Sequence, residues 1–365
     1  MSAAAPRHLD ALTGIRGIAA WAVVFYHIRG SLTALMPQWM IGWMSRGYLA
    51  VDLFFVLSGF VIWYNYAERI ATGGQRAVRL FLWRRFARVW PLHGAVLGAF
   101  VALALMLAAT GRDTAAYPWA ELPLHVLLIQ NWGLTDDLAW NHPAWSISTE
   151  LAAYLVFPVL VVLIPWRRLG EAALLVLVGG LCAALYALFT LRGHTSIGQE
   201  ITHLGLWRCL AEFPMGMILC QLWQRWRHRP RARLDALVAM TAIAGLALLA
   251  DLPETAFVPA LFFASLLALA LDTGPTSRLL GGKVLTYLGE ISYSTYLAHF
   301  LLFVVFKMIF VDASLQLGWA GLVGYLAMVA AASVALYHGL EKPAQRWLNA
   351  RPPRWAKGEG APVSG

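Results

Sequence analysis

Residues 9–28, LDALTGIRGIAAWAVVFYHI, form a run apolar enough to cross a bilayer, yet the run carries an arginine and a histidine. At ~100° per residue, Arg16 and His27 differ by only about 20° around a helix, so they share a face. At ~1.5 Å per residue they stand roughly 16 Å apart along the axis, more than half of a hydrocarbon core. Ionisable side chains inside lipid are costly and mark pathways or reaction sites. A cation near one membrane face with a proton-transfer group deeper in points to a charged donor on one side and chemistry toward the other.

The rest of the chain has the same character. Of its 365 residues 60% are hydrophobic and only 13% formally charged, with mean hydropathy +0.63, which excludes a soluble domain. The expected fold is an all-α, polytopic membrane protein of about ten transmembrane helices. A single transmembrane domain is expected over 1–343, followed by a disordered cytoplasmic tail over 344–365. Spans are expected near 11–31, 47–66, 90–110, 144–165, 171–191, 204–223, 234–250, 257–272, 285–310 and 319–340. The apolar stretch 122–132, LPLHVLLIQNW, is too short to span and reads as a re-entrant or interfacial piece over the outer mouth. Arg16, Trp21, Phe25 and Tyr26 argue against a signal peptide in the first run.

The net charge of +9 does not indicate nucleic acid, because the basic residues cluster between apolar spans. With both termini on the cytoplasmic side, 21 of the 28 lysines and arginines fall inside, the positive-inside pattern of a bacterial inner-membrane protein. Cys182, Cys209 and Cys220 sit in apolar runs without metal-site or redox spacing and read as small core residues. No metal site is expected.

His27 is either a histidine satisfied by a neighbouring carbonyl or a functional imidazole, and Arg16 on the same face favours function. A neutral imidazole there can act as general base or carry an acyl group. The segment 81–91, FLWRRFARVWP, places Arg85 and Arg88 one helical turn apart beside Arg84 and Trp90, with Pro91 as a stop. Such a cationic turn suits a phosphate-bearing donor, although ordinary topology charge gives the same residues. In 141–158, NHPAWSISTELAAYLVFP, Ser146, Glu150 and Tyr154 recur at i, i+4 and i+8 and form a polar stripe that must face the bundle interior. Ser146 also suits a helix start; Glu150 needs a partner, and His27 is preferred over Arg16 and Arg208. Asp52 is expected to pair with Arg46 or Arg29. With Tyr154, Tyr296 and His299 it is also a candidate substrate-binding residue, His299 being otherwise a packing histidine. Arg208 and Glu212 read as a local i, i+4 ion pair, and Glu341-Lys342-Pro343 as a helix stop.

Taken together, LDALTGIRGIAAWAVVFYH, VDLFFVLSGFVI, RRFARVWP, QNW, PAWSISTE, SYSTYLAHF and EKP resemble, in order, the motifs of the acyltransferase-3 family of integral membrane O-acyltransferases, from about residue 9 to 343. The resemblance implies a ten-span fold and a cytoplasmic acyl-CoA co-substrate, with no tightly bound cofactor. The implied acceptor is a hydroxyl of an exopolysaccharide, O-antigen or lipid-linked saccharide. It makes His27 the catalytic histidine, Arg16 a donor-channel residue, Arg85 and Arg88 the arginines of the cytoplasmic motif, and Ser146 and Glu150 part of the Trp-Ser-x-Ser-x-Glu signature. Ala11 stands where glycine is commoner, and His93 where aromatics are frequent. The esterase-like domain fused to some relatives is expected to be lacking, leaving the acceptor to the membrane domain or to glycan-assembly partners. The rival expectations are a saccharide exporter of the same fold and, more weakly, a sensor or assembly scaffold.

Overall fold

Gly74 divides the longest helical stretch of the chain. In the computed structural model, which describes residues 8–311 and 315–357, helix α2 (Ala50–Ala109) follows helix α1 (His8–Ile28) and is 60 residues long. Gly74, at φ 55° and ψ −148°, interrupts it in a conformation that side chains with a Cβ avoid. Arg85 Nη2 donates to Tyr66 Oη at 3.0 Å, and the rings of Tyr66 and Phe81 lie 5.0 Å apart. In one continuous helix Tyr66 and Arg85 would stand ~28 Å apart. The chain therefore folds back at Gly74, and α2 is two arms. The second runs on through Pro91, which does not stop it.

After α2 come α3 (Ala144–Leu163), α4 (Glu171–Leu191), α5 (Ile201–Trp226), α6 (Ala232–Leu249), α7 (Glu254–Ala270), the short α8 (Lys283–Glu290), α9 (Ser292–Phe310), α10 (Trp319–Leu336) and α11 (Lys342–Ala350). Every regular element among the described residues is helical, so this is an all-α membrane protein with several membrane-crossing helices. Seven helical stretches are long and apolar enough to cross a membrane, and one of them contains both arms of α2. The other expected spans fall on α5, which carries Arg208 and Glu212 inside, and on α7, which is apolar but only 17 residues long. The ninth span does not begin at 285: α8 ends at Glu290, and a separate helix starts at Ser292. Helix also continues past the expected boundary at 343, where α11 is fixed by Trp83 Nε1 donating to the Leu348 carbonyl at 3.0 Å. Arg7 and the end of the expected tail, 358–365, lie outside the described residues.

The centre of the bundle is the first arm of α2 against α5. A Cβ on Gly59 would lie 1.9 Å from the Phe213 carbonyl oxygen, and one on Gly216 would lie 1.8 Å from that of Val56. Only glycine allows the two backbones to approach so closely, as in small-residue packing of membrane helices. Nearer the N-terminal ends of these helices, buried Arg208 grips buried Asp52 with both arms: Nε donates to Oδ1 at 2.5 Å and Nη2 donates to Oδ2. Asp52 therefore pairs with neither Arg46 nor Arg29, and Arg208 is not spent on Glu212. The latter is fully buried, and both its carboxyl oxygens lack a hydrogen-bond partner among the described residues. The stretch 122–132 is a short helix, Leu122–Leu127, followed by irregular chain. That chain is pinned to α3, with Asn131 N donating to Ser148 Oγ and Trp132 Nε1 to the Ser148 carbonyl.

Gly216→Val is expected to destabilise the fold by roughly 3 kcal/mol or more, because the added methyls meet backbone that cannot yield. Gly180→Val, where a Cβ meets nothing within 4 Å, should be neutral. Size-exclusion profiles of purified protein after graded heating distinguish the two.

Candidate active site

Four other helices gather around the polar stripe of α3. Ser146, Glu150 and Tyr154 line a cavity of about 240 Å³ whose other walls come from α1, both arms of α2, and α9. Arg16 reaches it from α1, Ser58 from the first arm of α2, Arg85 and Arg88 from the second, Tyr293 and Tyr296 from α9, and Gln345 from α11. The stripe faces inward because three polar groups one helical turn apart would otherwise meet hydrocarbon.

The arginines differ in how they are held. Arg88 Nη1 donates to Glu341 Oε1, and Glu341, almost wholly buried, takes a second bond from Ser294 Oγ at 2.6 Å. A π-helical turn, Tyr337–Glu341, precedes α11 and sets this carboxylate against the second arm of α2. Arg85 lies over the rings of Tyr66 and Tyr154, at 5.1 Å and 5.8 Å from their centroids. Arg16 has neither hydrogen bond nor ion pair among the described residues. A cavity wall with one guanidinium neutralised, one stacked and one uncommitted is suited to an anionic guest.

Tyr296 also lines the cavity. Its hydroxyl donates to the Pro143 carbonyl at 3.0 Å and shares a hydrogen bond with Ser146 Oγ at 2.7 Å. Beyond Tyr296, whose ring is 6.1 Å from that of His299, lies a pair of imidazoles. His299 Nδ1 sits 2.6 Å from the Tyr296 carbonyl and 3.2 Å from that of Thr295, so it must carry the proton. His299 Nε2 is then an acceptor, 3.1 Å from His27 Nδ1, which also lies 3.0 Å from the Val23 carbonyl. His27 Nδ1 thus has two acceptors in reach and must be the protonated nitrogen. The lone pair on His27 Nε2 is left without a hydrogen-bond partner among the described residues. Phe300 flanks the imidazole at 5.3 Å between ring centres and stacks on His142 at 4.6 Å.

The sequence model of the acyltransferase-3 family, described as an acyltransferase domain, matches residues 9–338. The chain belongs to that family. Acyltransferase MdmB of Streptomyces mycarofaciens is 29% identical over 372 residues, which cover 94% of each protein. Protein 2 in the picA locus of Rhizobium radiobacter is 36% identical over 170 residues, 43% of this chain and 84% of that one. The peptidoglycan O-acetyltransferase OatA of Listeria monocytogenes is 23% identical over 321 residues, 80% of this chain and 49% of that protein. No solved structure matches the chain. The protein is a membrane acyltransferase.

The cavity gathers most of the residues singled out from the sequence, with corrections. Arg16, Arg85, Arg88, Ser146, Glu150, Tyr154 and Tyr296 share it; Arg84 does not line it. Asp52 is fully buried against Arg208, outside the cavity. Glu150 is not the partner of His27: it accepts from Ser58 Oγ, and His299 holds the imidazole instead. Glu341 is no mere helix stop, since it neutralises Arg88 across 253 residues of sequence. Ser58, His142 and Gln345 are not singled out by the sequence, although Ser58 and His142 lie inside the quoted stretches VDLFFVLSGFVI and NHPAWSISTELAAYLVFP, and Tyr293 lies with Tyr296 and His299 in SYSTYLAHF.

Removing Glu341 strands the Arg88 charge inside the bundle. Glu341→Ala is expected to lower stability by roughly 3–5 kcal/mol. The expected signature is a large fall in the thermal unfolding midpoint of the purified protein, with Glu341→Gln, which keeps the Ser294 contact, falling less.

Proposed function

We propose that this acyltransferase takes an acyl group, most simply acetyl, from cytoplasmic acyl-CoA and passes it to a saccharide hydroxyl on the far side of a bacterial inner membrane. The observation that carries this reading is the free Nε2 of His27, fixed by His299, whose ring lies 6.1 Å from that of Tyr296 in the wall of a cavity holding three arginines. The arginine-rich ends of the helices face the cytoplasm under the positive-inside rule, so both termini are cytoplasmic and the cavity opens toward the donor. The saccharide acceptor is read from the peptidoglycan substrate in the name of the Listeria relative.

In this mechanism Arg85 and Arg88 hold the donor's phosphates, and uncommitted Arg16 draws the remaining negative charge inward. The thioester advances along Ser58, Glu150 and Tyr154, and the Tyr296 ring turns aside to admit it to His27. Nε2 takes the proton of the acceptor hydroxyl as the oxygen attacks the thioester carbonyl. The C–S bond then breaks, and the departing thiolate receives that proton from the imidazolium, so charge and atoms balance. A two-step route, in which Nε2 first accepts the acyl group, uses the same nitrogen. His299 serves either route by keeping the proton on Nδ1.

His27→Ala is expected to lower acyl transfer by ~10²–10⁴-fold, the usual cost of removing a general base. Cells expressing each variant at matched levels, followed by mass analysis of their envelope glycans, provide the measurement, and unchanged acylation rejects the assignment. His299→Ala should cost roughly 10–100-fold, the scale for removing the partner that orients a functional imidazole. Arg85→Ala should weaken CoA binding by ~10-fold or more in calorimetry of the purified protein while lowering its unfolding midpoint much less than Glu341→Ala does, since only the bond to Tyr66 and the ring contacts are lost. Release of free thiol from acetyl-CoA in the presence of acceptor separates this enzyme from an exporter of the same fold.

A further inference from the structure

A second cavity, larger than the first at about 670 Å³, opens at the arginine-rich end of the bundle and has no part in the route above. Its walls are the first arm of α2 below the Gly74 bend, the C-terminal end of α3 with the loop after it, and the last turns of α5. It lies on a different side of the α2 arm from the active-site cavity. Residues 54, 58 and 61 face that cavity, whereas 64, 67 and 71 face this one, about 120° away around the helix.

The lining has two characters. Arg167, Arg168 and Arg225 stand against a single acid, Glu68, leaving an excess of positive charge. Arg225 is locked in place by donating Nη1 to the Leu169 carbonyl at 2.9 Å, while Arg167 and Arg168 are exposed. Gln221 also lines the space. It is only 6% exposed, and its Nε2 donor has no hydrogen-bond partner among the described residues. A buried amide donor left unsatisfied is costly unless a guest accepts its proton. Deeper in, the lining is apolar and aromatic: Val161, Ile164, Trp63 and Trp166, the last two edge to face at 5.2 Å. On the adjoining surface of α3, Val162 and Leu163 are 64% and 73% exposed, so the cavity borders the face that meets lipid tails.

We infer that this cavity is a second binding site, for a phosphate group, with Arg167 and Arg168 gripping the phosphate oxygens and the Gln221 amide donating to it from the floor. Donors without a matching acceptor set, beside an apolar wall that continues onto the lipid-facing surface, suit a phosphate carried by a membrane lipid. A soluble phosphate shares the recognising chemistry. The site is independent of the acyl-transfer reading, because its occupant touches neither His27 nor the arginines of the active-site cavity.

The test uses the full-length protein purified in detergent, with two probes: phosphatidylglycerol, followed by native mass spectrometry, and radiolabelled inorganic phosphate, followed by equilibrium dialysis. The expected result is binding of at least one probe that falls about tenfold or more in Arg167→Ala/Arg168→Ala, as expected for the loss of charge-assisted bonds. A similar loss is expected in Gln221→Met, and Arg278→Ala, an exposed cation outside the cavity, should bind as the parent does. Loss of lipid binding alone identifies a lipid headgroup, and loss of inorganic phosphate binding identifies a soluble source; either supports the site. Equal binding of both probes by parent and variants, or an equal fall in Arg278→Ala, overturns it. Unchanged CoA binding by the same variants separates this outcome from any failure of the proposed donor site.

Discussion

The Arg208–Asp52 pair shows the constraint under which this bundle is built: hydrocarbon offers no counter-charge, so each buried ion must be met from within the protein. Two-armed pairing of guanidinium and carboxylate satisfies most of the donors and acceptors at once, and Arg208 gives one more hydrogen bond to the Ile197 carbonyl at 3.3 Å. Such a pair contributes little net stability relative to an apolar replacement, but breaking it leaves a naked charge. It therefore acts as a register lock between the first arm of α2 and α5, working beside the glycine contact of Gly59 and Gly216. Arg88 and Glu341 repeat the device between the second arm and the π-helical turn.

Against that background Arg16 stands apart. It is a guanidinium within the first membrane helix with no carboxylate bound to it among the described residues, and it faces the same cavity as two further arginines. A protein that neutralises Arg208 and Arg88 with such care leaves this charge open, as the proposed anionic donor requires. The imidazoles follow a related logic. His299 receives no charge from a carboxylate; backbone carbonyls fix its proton, and it fixes that of His27 in turn. A histidine pair sets a tautomer without placing a permanent charge in the membrane, which a carboxylate partner would do.

How much of this was legible in the sequence depended on whether the information was local. The periodicity of Arg16 and His27, and of Ser146, Glu150 and Tyr154, named the faces that converge, because helix geometry alone fixes which residues share a side. The partners were not legible. Glu341 meets Arg88 across 253 positions and Asp52 meets Arg208 across 156, and nothing within a helix says which distant charge will lie opposite. Chemistry alone matches Glu150 with His27, whereas the bundle sets Ser58 against it. The spans read from the sequence place only a loop around Gly74; that helix persists to either side of a single glycine depends on tertiary contacts such as Tyr66 with Phe81.

The closure formed by Tyr296, Ser146 and Pro143 has a bearing on cell energetics. An uninterrupted polar tunnel from one face of a bilayer to the other would conduct protons and small ions and so run down the gradient on which the cell depends. Three neutral groups satisfying one another place no charge of their own in the membrane. On the proposed route Tyr296 moves aside only during transfer, so the donor chamber and the imidazole need never form one continuous polar path.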